Sequence, residues 1–544
     1  MNKYLGIVFF ITTFSLFLSQ PDAYAQNRGL DAIRQAKLKA TIEFLASNAM
    51  QGRKTGDVTN EITARYLASE AEKLGLKPLV DSSGFLQTFI LDKTSLRTDS
   101  SWIQVSCLGS VKPPMDRGLV VFPVPAKNVS LDAPVVFAGY GINSPADNYN
   151  DLKGIDGKDK IILFMDRAPS SPDGKKCLLK DSTWMKQFGV QKKIAFLFAM
   201  RPKAVMIAID PKSGYSSLEE VMPGLTRYLA EQYSLAGSPS MNDILRGNMP
   251  KILLITRAMA DSILAGAKTN LRDLQLDIDR DLKPRSFDVP DTRVKVNLCV
   301  DKKQVNAYNV AGMIQGTDPV LKNEAVIYTA HFDHIGVDPS GKVNRGADDN
   351  ASGTAALLEV ARAFKAEQKS LKRSVIILWV NSEELGLLGS KYYADHPEFP
   401  LEKTVADINL DMIGRSRTPV DTGMYKGEKL DVKAGDSVFV TTGRTSTELM
   451  ALNDRISKKM GMVSDYAYNS PNDPGQMFSR SDQFSFAQKK VPVIFYTTGA
   501  HRDYHSPQDI PSKLNYAKME KVARLAYRVG YQLAVQKTRP AYDK

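Results

Sequence analysis

The chain has 544 residues, a formal net charge of +12, three cysteines and only five histidines. The positive charge is spread through mixed runs, without the arginine clusters and interleaved aromatic residues of a nucleic-acid binder, so we expect no nucleic-acid partner. The cysteines Cys107, Cys177 and Cys299 lie too far apart for a disulfide scaffold or a thiolate zinc site, and they allow at most one internal bridge.

The first 25 residues have the pattern of a signal peptide. Lys3 precedes an apolar stretch from Leu5 to Leu18, and the run Ala23–Ala25 supplies the small-x-small pattern of a cleavage site. The stretch is shorter than the roughly 20 residues that a membrane-spanning helix needs, and no later segment is long and apolar enough to span. We therefore expect residues 1–25 to be removed and the mature protein to be periplasmic or secreted.

The remaining length predicts two or three domains. Apolar residues at helical intervals predict helices over Leu30–Asn48 and Asn60–Leu74. From about Leu119 the pattern changes to short apolar runs separated by Pro, Asn, Asp and Gly, which is typical of strands and turns. We interpret residues 118–287 as a separate β-rich module.

From Arg293 onward the pattern is typical of an α/β fold. Apolar runs such as EAVIYTAH, SVIILWVN, TVADINL and VPVIFYTTG predict strands. Helices are predicted between several of them, at Ala355–Lys365, Glu384–Ala394, Thr447–Lys459 and Ala517–Gln536. Near-continuous apolar strands alternating with helices indicate a mixed, mostly parallel central sheet that is buried on both faces.

Histidines and acids follow these strands at the points where each strand ends. They are His331, Glu383, Glu384, Asp411 and His505. In such sheets the site lies beyond the carboxyl ends of the strands, and imidazole and carboxylate groups are the ligands that hold zinc. The sequence therefore predicts a metal site with chemistry attached.

The spacing of these residues allows a two-metal site. Asp333 can orient the ring of His331, because residues two apart on an extended segment face the same way. Asp348, in the glycine-flanked run GADDNASG, can bridge two metals, although the same run can simply cap a helix. Adjacent Glu383 and Glu384 can divide the roles of ligand and base, and Asp411 and His505 complete two sites.

The other three histidines are not predicted to be metal ligands. We expect His334 and His501 to support the site rather than to bind metal, and His396 to face solvent near a helix end.

At this point the chain resembles the dimetal exopeptidases that include leucyl-type aminopeptidases, glutamate carboxypeptidase and the transferrin receptor ectodomain. The resemblance rests on HFDHIG, GADDNASGTAALLEVAR, VNSEELGLLGS, INLDMIG, RSDQFSF and DYHSPQD, with TIEFLASNAMQGR and AEKLGLKPL near the start. It implies an α/β domain made of residues 26–117 and 288–544. The intervening block, with VVFAGYGINSPADNYNDLKGIDGKDKIILF, resembles the protease-associated insert found in these enzymes.

The resemblance also implies roles for the site residues. His331 with Asp411 and Glu384 with His505 would hold two zinc ions, Asp348 would bridge them, and Glu383 would be the general base. One departure is Gln483, which stands where relatives often have a histidine after the aspartate of the RSD motif.

The activity that the resemblance favours is removal of amino-terminal residues from peptides. A carboxypeptidase stays open as an alternative, because Arg415, Arg417 and Arg480 lie in nearby loops and arginines can hold a terminal carboxylate. A glutaminyl-cyclase-like acyltransferase and a non-catalytic receptor-like ectodomain are further alternatives, which the full ligand set with its base disfavours.

Overall fold

The computed structural model describes most of the chain. The described residues are 28–80, 84–107, 109–111, 120–122, 124–185, 187–215, 231–238, 250–338, 340–425 and 428–544. The predicted signal peptide lies outside them. Within the described part, no helix combines the length and the apolar character needed to cross a membrane.

The described strands, in chain order, are β1 (Lys77–Pro78), β2 (Leu86–Leu96), β3 (Trp102–Cys107), β4 (Ser110–Val111), β5 (Val120–Phe122), β6 (Val129–Ala138), β7 (Asn143–Ser144), β8 (Tyr149–Asn150), β9 (Ile161–Met165), β10 (Ala204–Ala208), β11 (Glu231–Leu235), β12 (Lys251–Ile255), β13 (Ser286–Leu298), β14 (Val300–Ile314), β15 (Ala325–His331), β16 (Ser374–Val380), β17 (Thr404–Leu410), β18 (Gly423–Tyr425), β19 (Glu428–Leu430), β20 (Ser437–Thr441), β21 (Val463–Asp465) and β22 (Val493–Thr497).

The helices are α1 (Gln35–Leu45), α2 (Val58–Lys73), α3 (Gln187–Ala199), α4 (Arg257–Leu264), α5 (Leu271–Asp281), α6 (Gly353–Ala366), α7 (Leu388–Asp395), α8 (Thr447–Lys459), α9 (Gln483–Gln488) and α10 (Tyr516–Val535). The predicted helix over Glu384–Ala394 is shorter than expected, since it starts only at Leu388. This leaves Glu384 in the loop that follows β16.

A ten-stranded sheet forms the larger part of the molecule, in the order β11, β2, β14, β16, β15, β17, β22, β20 and β21, with β1 also pairing with β14. The central strands β16, β15, β17 and β22 are parallel. The prediction of a mixed α/β sheet is confirmed. Parallel pairing is less extensive than predicted, because β2 and β14 join their neighbours antiparallel and β20 joins β22 antiparallel.

Helices cover both faces of this sheet, which explains why its central strands are mostly apolar. Every residue of β15, β16 and β17 is buried. One face packs against α1, α2, α6 and α10. The other face packs against side chains of α7 and α9, including Tyr393 and Phe486. The parallel strands therefore end together at one edge, between two helical layers.

A second sheet has eight strands in the order β4, β3, β13, β6, β9, β10, β12 and β5, with its own apolar core. The sheet extends beyond residues 118–287, because β3 pairs with β13 and β13 pairs with β6. The domain boundaries 118–287 stay a prediction. The block is also less purely β than expected, since β6, β9, β10 and β12 are parallel and helices accompany them.

Cys107, Cys177 and Cys299 are all free thiols.

Candidate metal centre

The parallel strands of the first sheet bring the predicted side chains together. His331 is the last residue of β15, the two glutamates follow β16, and Asp411 follows β17 directly. His505 lies in the loop beyond β22. The prediction that these residues meet at one edge of the sheet is confirmed by their distances.

The side chains form two groups, and in each group the candidate ligand atoms lie within 4.8 Å of one another. One group is His334, Asp349, Glu384 and His505. The other group is His331, Glu383 and Asp411. These are the groups of this kind in the described part of the chain.

Asp349 joins the two groups. Its Oδ1 lies 3.4 Å from Nε2 of His331, and its Oδ2 lies 3.1 Å from Nε2 of His505. One carboxylate thus presents an oxygen to each side, which is the geometry of a shared ligand.

The prediction that Asp348 is the shared carboxylate is therefore corrected to Asp349. Asp348 points away from both groups: its Oδ1 accepts a hydrogen bond of 2.6 Å from the backbone N–H of Gly414, and its Oδ2 lies 3.4 Å from Nε2 of His501. Neighbouring side chains diverge, so only one of two adjacent acids can face a given point.

Within each group the remaining contacts are short. Nε2 of His505 lies 3.0 Å from Oε2 of Glu384, and Nε2 of His331 lies 3.2 Å from Oδ1 of Asp411. Glu383 stands slightly apart, with Oε2 3.9 Å from Nε2 of His331. Glu383 and Glu384 thus occupy different positions, as the sequence predicts.

The donor set fits zinc. Oδ2 of Asp349 and Nε2 of His505 are buried, and neither has a hydrogen-bond partner although they face each other. Such atoms are costly to bury unless a cation or a proton satisfies them. Imidazole nitrogens with carboxylate oxygens are the usual ligands of Zn²⁺. Each group offers this mixture around a shared Asp349.

Charge interactions within the groups shift the pKa values in opposite directions. Burial opposes protonation of His505, yet Glu384 and Asp349 raise the pKa of His505 to about 10. Burial and Asp349 oppose ionisation of Glu384, but His505 and His334 lower its pKa to about 2. The site therefore carries a surplus of buried carboxylates, which attracts cations.

Glu383 behaves differently. Burial raises the pKa of Glu383 well above its usual range; the charge of Glu384 reinforces this shift and His331 opposes it. Its side chain keeps 13% of its surface exposed, against 5% for Glu384. A carboxylate that gains a proton readily and reaches the open side of the site is suited to proton transfer.

The sequence model described as peptidase family M28 matches residues 309–530. Residues 309–530 are thus similar to peptidase family M28, and both candidate metal groups lie within this matched segment.

Curated relatives of the chain are aminopeptidases. Aminopeptidase YwaD of Bacillus subtilis is 27% identical over 226 residues, which are 40% of this chain and 44% of the relative. The probable leucine aminopeptidase 2 of Aspergillus oryzae is 31% identical over 247 residues, 44% of this chain and 42% of the relative. The matches thus span less than half the length of these relatives.

Solved structures extend the likeness along the chain. An aminopeptidase from Aneurinibacillus sp. strain AM-1 has a TM-score of 0.55 and 18% identity, covering 95% of this chain and 98% of its own. A zinc aminopeptidase from Bacillus subtilis has a TM-score of 0.53 and 19% identity, covering 94% and 98%. At these identities the likeness shows a shared fold.

Asp333 supports the M28 site through the loop that follows β16. Its carboxylate accepts the backbone N–H of Glu383 at 3.1 Å and that of Glu384 at 3.4 Å. Its Oδ1 lies 3.7 Å from Nδ1 of His331, beyond an ordinary hydrogen bond. The predicted orientation of the His331 ring by Asp333 stays a prediction, whereas its hold on the two glutamates is a contact that the sequence did not reveal.

Arg53 is far from the candidate ligands in the sequence but contacts the loops that carry them. Its guanidinium is fully buried and donates to the carbonyls of Phe332 (2.8 Å), Leu45 (2.5 Å), Arg345 (2.9 Å) and Gly346 (3.0 Å). It thereby ties the loops after His331 and before Asp349 to the amino-terminal helix α1. The arginine occurs in TIEFLASNAMQGR, so the resemblance pointed to the segment without giving this role.

Two further acids and one serine complete the surroundings. Oδ2 of Asp509 accepts the backbone N–H of Asp348 at 2.9 Å and of Asp349 at 3.1 Å. Ser481 donates to Oδ2 of Asp411 at 2.8 Å. Burial raises the pKa of Asp482 to about 7. The RSD and SPQD motifs contain these residues, and the sequence gave no reason to assign them separate tasks.

The other residues singled out in the sequence have structural surroundings. Nδ1 of His334 lies 2.8 Å from Oε1 of Glu384, so His334 is closer to the site than expected. Gln483 is buried and accepts from Asn409 at 2.9 Å. His396 is exposed, as predicted.

Glycine at position 346 is required where the loop approaches His334. Gly346 has a φ of +56°, and a Cβ there would lie 2.6 Å from the His334 ring. A larger residue would push this loop away from the site.

Proposed function

We propose that the protein is a zinc-dependent aminopeptidase that uses two metal ions to remove amino-terminal residues from peptides. The observation that carries this proposal is Asp349, which offers one oxygen to each of two ligand groups beside Glu383. The M28 match and the names of the curated relatives support the same activity.

In this proposal His505, Glu384 and Asp349 hold one ion, and His331, Asp411 and Asp349 hold the other. Two zinc ions there would polarise the scissile carbonyl and lower the pKa of the attacking water. His334 lies 2.8 Å from Oε1 of Glu384 and leaves Oε2 for the ion. We assign His334 to orienting Glu384.

Glu383 moves the proton. As a carboxylate it accepts a proton from the attacking water, and as a carboxylic acid it returns that proton to the leaving amine. The buried surroundings raise the pKa of Glu383 well above its usual range, which favours the protonated form that the return step needs. The hydrogen bond from its backbone N–H to Asp333 fixes the position of the loop that carries Glu383.

The surplus of acids favours a substrate amine over a substrate carboxylate. Two of the three arginines considered for a carboxylate are engaged elsewhere: Nη2 of Arg415 lies 2.7 Å from Oδ2 of Asp503, and Nε of Arg417 donates to the carbonyl of Val432 at 2.9 Å. An incoming carboxylate would have to displace these contacts.

The test is a panel of peptides assayed with free and acetylated amino termini, alongside elemental analysis of the purified protein. We expect about two zinc equivalents and cleavage of the free peptides, with almost none of the acetylated ones. Faster release of a carboxyl-terminal residue from an acetylated peptide would overturn the aminopeptidase direction and favour a carboxypeptidase.

We also propose that the chain is exported and that the second sheet belongs to a protease-associated domain. The first proposal rests on residues 1–25, and the second on the sequence of the block between β6 and β9. Amino-terminal sequencing of the protein from an exporting host would test the first: we expect the mature chain to begin at Gln26.

A further inference from the structure

One strand of the inserted block pairs with the first sheet. In chain order β11 lies between β10 and β12, which are neighbours in the second sheet. It pairs instead antiparallel with β2 at the edge of the ten-stranded sheet, with Glu231 opposite Ser95 and Leu235 opposite Leu91. The insert thus contributes backbone to the sheet that carries the metal centre.

Alternate residues of β11 face a pocket beside that centre. Glu231 and Tyr233 line it together with Lys54, His334 and Glu384. Because side chains alternate along a strand, Gln232 and Ser234 point to the opposite face.

Charged groups on this wall are paired with one another. Oε2 of Glu231 lies 2.7 Å from Nζ of Lys54, and Oε1 lies 2.5 Å from Nζ of Lys93. The hydroxyl of Tyr233 also donates to Oε2 of Glu231 at 3.0 Å. Burial favours the protonated acid, yet the two lysines lower the pKa of Glu231 to about 2, so the carboxylate is ionised throughout the neutral range.

The remaining lining is apolar or acidic. Ile335 and Leu385 contribute apolar surface, and Leu385 packs in the same cluster as Tyr233. Asp333 and Glu384 add two acids to the lining. A pocket whose lining combines paired charges, apolar side chains and further acids suits an uncharged side chain and disfavours an anionic one.

We infer that β11 forms one wall of a substrate subsite, in which Glu231 offsets Lys54 and Lys93 so that the subsite accepts an uncharged side chain next to the scissile bond. This inference rests on the proposed aminopeptidase function. Glu231 is thereby a specificity-determining residue supplied by the insert.

The decisive variant is Glu231→Gln, assayed with two peptide series that carry Glu or Gln at the first or at the second position. Removing the carboxylate leaves the positive charges of Lys54 and Lys93 without the negative charge that offsets them. We expect kcat/KM for the Glu peptide, relative to its Gln counterpart, to rise about tenfold in one of the two series. Gln232→Ala, on the opposite face of the same strand, is the matched control and should leave this ratio unchanged.

A second variant, Tyr233→Ala, tests the same wall by size. It should raise the relative kcat/KM for bulky aromatic side chains in the series that responds to Glu231→Gln. Zinc content, measured in parallel, should match that of the unaltered protein in both variants. This keeps the test valid if one variant folds poorly.

The outcomes separate the two proposals. If peptides are cleaved but neither ratio moves in either variant, the subsite is wrong and the aminopeptidase proposal stands. If Gln232→Ala changes the ratios as much as Glu231→Gln, the wall is likewise refuted. If the unaltered protein cleaves no peptide, the proposed function fails and the subsite fails with it.

Discussion

Each of the two large sheets has parallel strands whose carboxyl ends meet at one edge, and acids stand at both edges. In the first sheet these strands are β16, β15, β17 and β22; in the second they are β6, β9, β10 and β12. In the second sheet Asp166 follows β9, and Asp210 lies two residues beyond β10. The topology is comparable, but the described part of the second block contains no group of metal-type ligands.

The difference lies in the partners of the carboxylates. Oδ1 of Asp166 accepts the backbone N–H of Asp210 at 2.7 Å, and Oδ1 of Asp210 accepts from Lys212 N at 2.6 Å and from the Gln275 amide. Buried Lys193 donates to backbone carbonyls beside them. At the first edge the facing atoms of Asp349 and His505 lack hydrogen bonds, and at the second edge Oδ2 of Asp210 lacks one as well. What distinguishes the first edge is that its unsatisfied atoms belong to a group of imidazoles and carboxylates. Topology supplies an edge, and grouped ligand atoms make it a candidate reactive centre.

The largest effect is expected from the shared carboxylate of the first edge. Asp349→Asn should reduce zinc from about two equivalents to fewer than about one, because both groups lose a charged ligand. Asp348→Asn is the matched neighbour and should retain its zinc, with a stability loss of about 1–2 kcal/mol from its weakened contact with Gly414. Elemental analysis decides between them. Loss of zinc in Asp348→Asn alone would restore the original assignment of the bridge.

The next largest effect concerns the proton carrier. Glu383→Ala should keep its zinc but lose turnover by at least about a thousandfold, since a positioned base contributes roughly 10² to 10⁴ and Glu383 also orients the attacking water. Single-turnover kinetics with metal analysis provide the measurement. A variant that loses metal instead would show that Glu383 and Glu384 exchange roles.

A smaller effect is expected from His334, which contacts Glu384 from outside the proposed ligand set. His334→Asn should weaken binding of one zinc ion by about 10- to 100-fold, the range typical of residues that orient a ligand. Competition with a chelator gives the affinity. His396→Asn, an exposed histidine, serves as control. Equal affinities in the two variants would mean that His334 has no part in orienting Glu384.

The last effect is on stability rather than on zinc binding or turnover, and it tests the second edge. Burial and the charge of Asp210 raise the pKa of Asp166 to about 6, above its ordinary 3.8. The folded state therefore binds the extra proton, and stability from this group falls as pH rises from about 4 through 6, by up to about 3 kcal/mol. Asp166→Asn should flatten this slope without changing zinc content. Denaturant unfolding between pH 4.5 and 7.5 measures it, and an unchanged slope would contradict the assignment.

Strand ends were predictable because the buried parallel strands are mostly apolar and each candidate ligand stands at or just after the end of such a run. His331 and Asp411 were found in this way. The choice between Asp348 and Asp349 was not predictable, because it depends on how Asp509 holds both backbone N–H groups from the far end of the chain. Sequence periodicity carries no information about such a contact.

The extent of the inserted block was also beyond the sequence pattern. The strand β13 alternates buried and exposed residues, as a half-buried strand of either sheet would. Only its pairing with β3 and β6 assigns it to the second sheet. The strand β11, with the sequence EQYSL, lacks the apolar run by which the other strands were recognised.

The contacts of Arg53 bear on when the metal centre can form during synthesis. The M28 segment begins at residue 309, yet its ligand-bearing loops are tied to a guanidinium far upstream, and Asp509 secures them from downstream. During synthesis Arg53 is therefore made long before the first proposed ligand, His331, and Asp509 is made after the last one, His505. We therefore expect metal to bind only when the polypeptide is nearly complete. A fragment of residues 309–530 should contain every proposed ligand without forming the site.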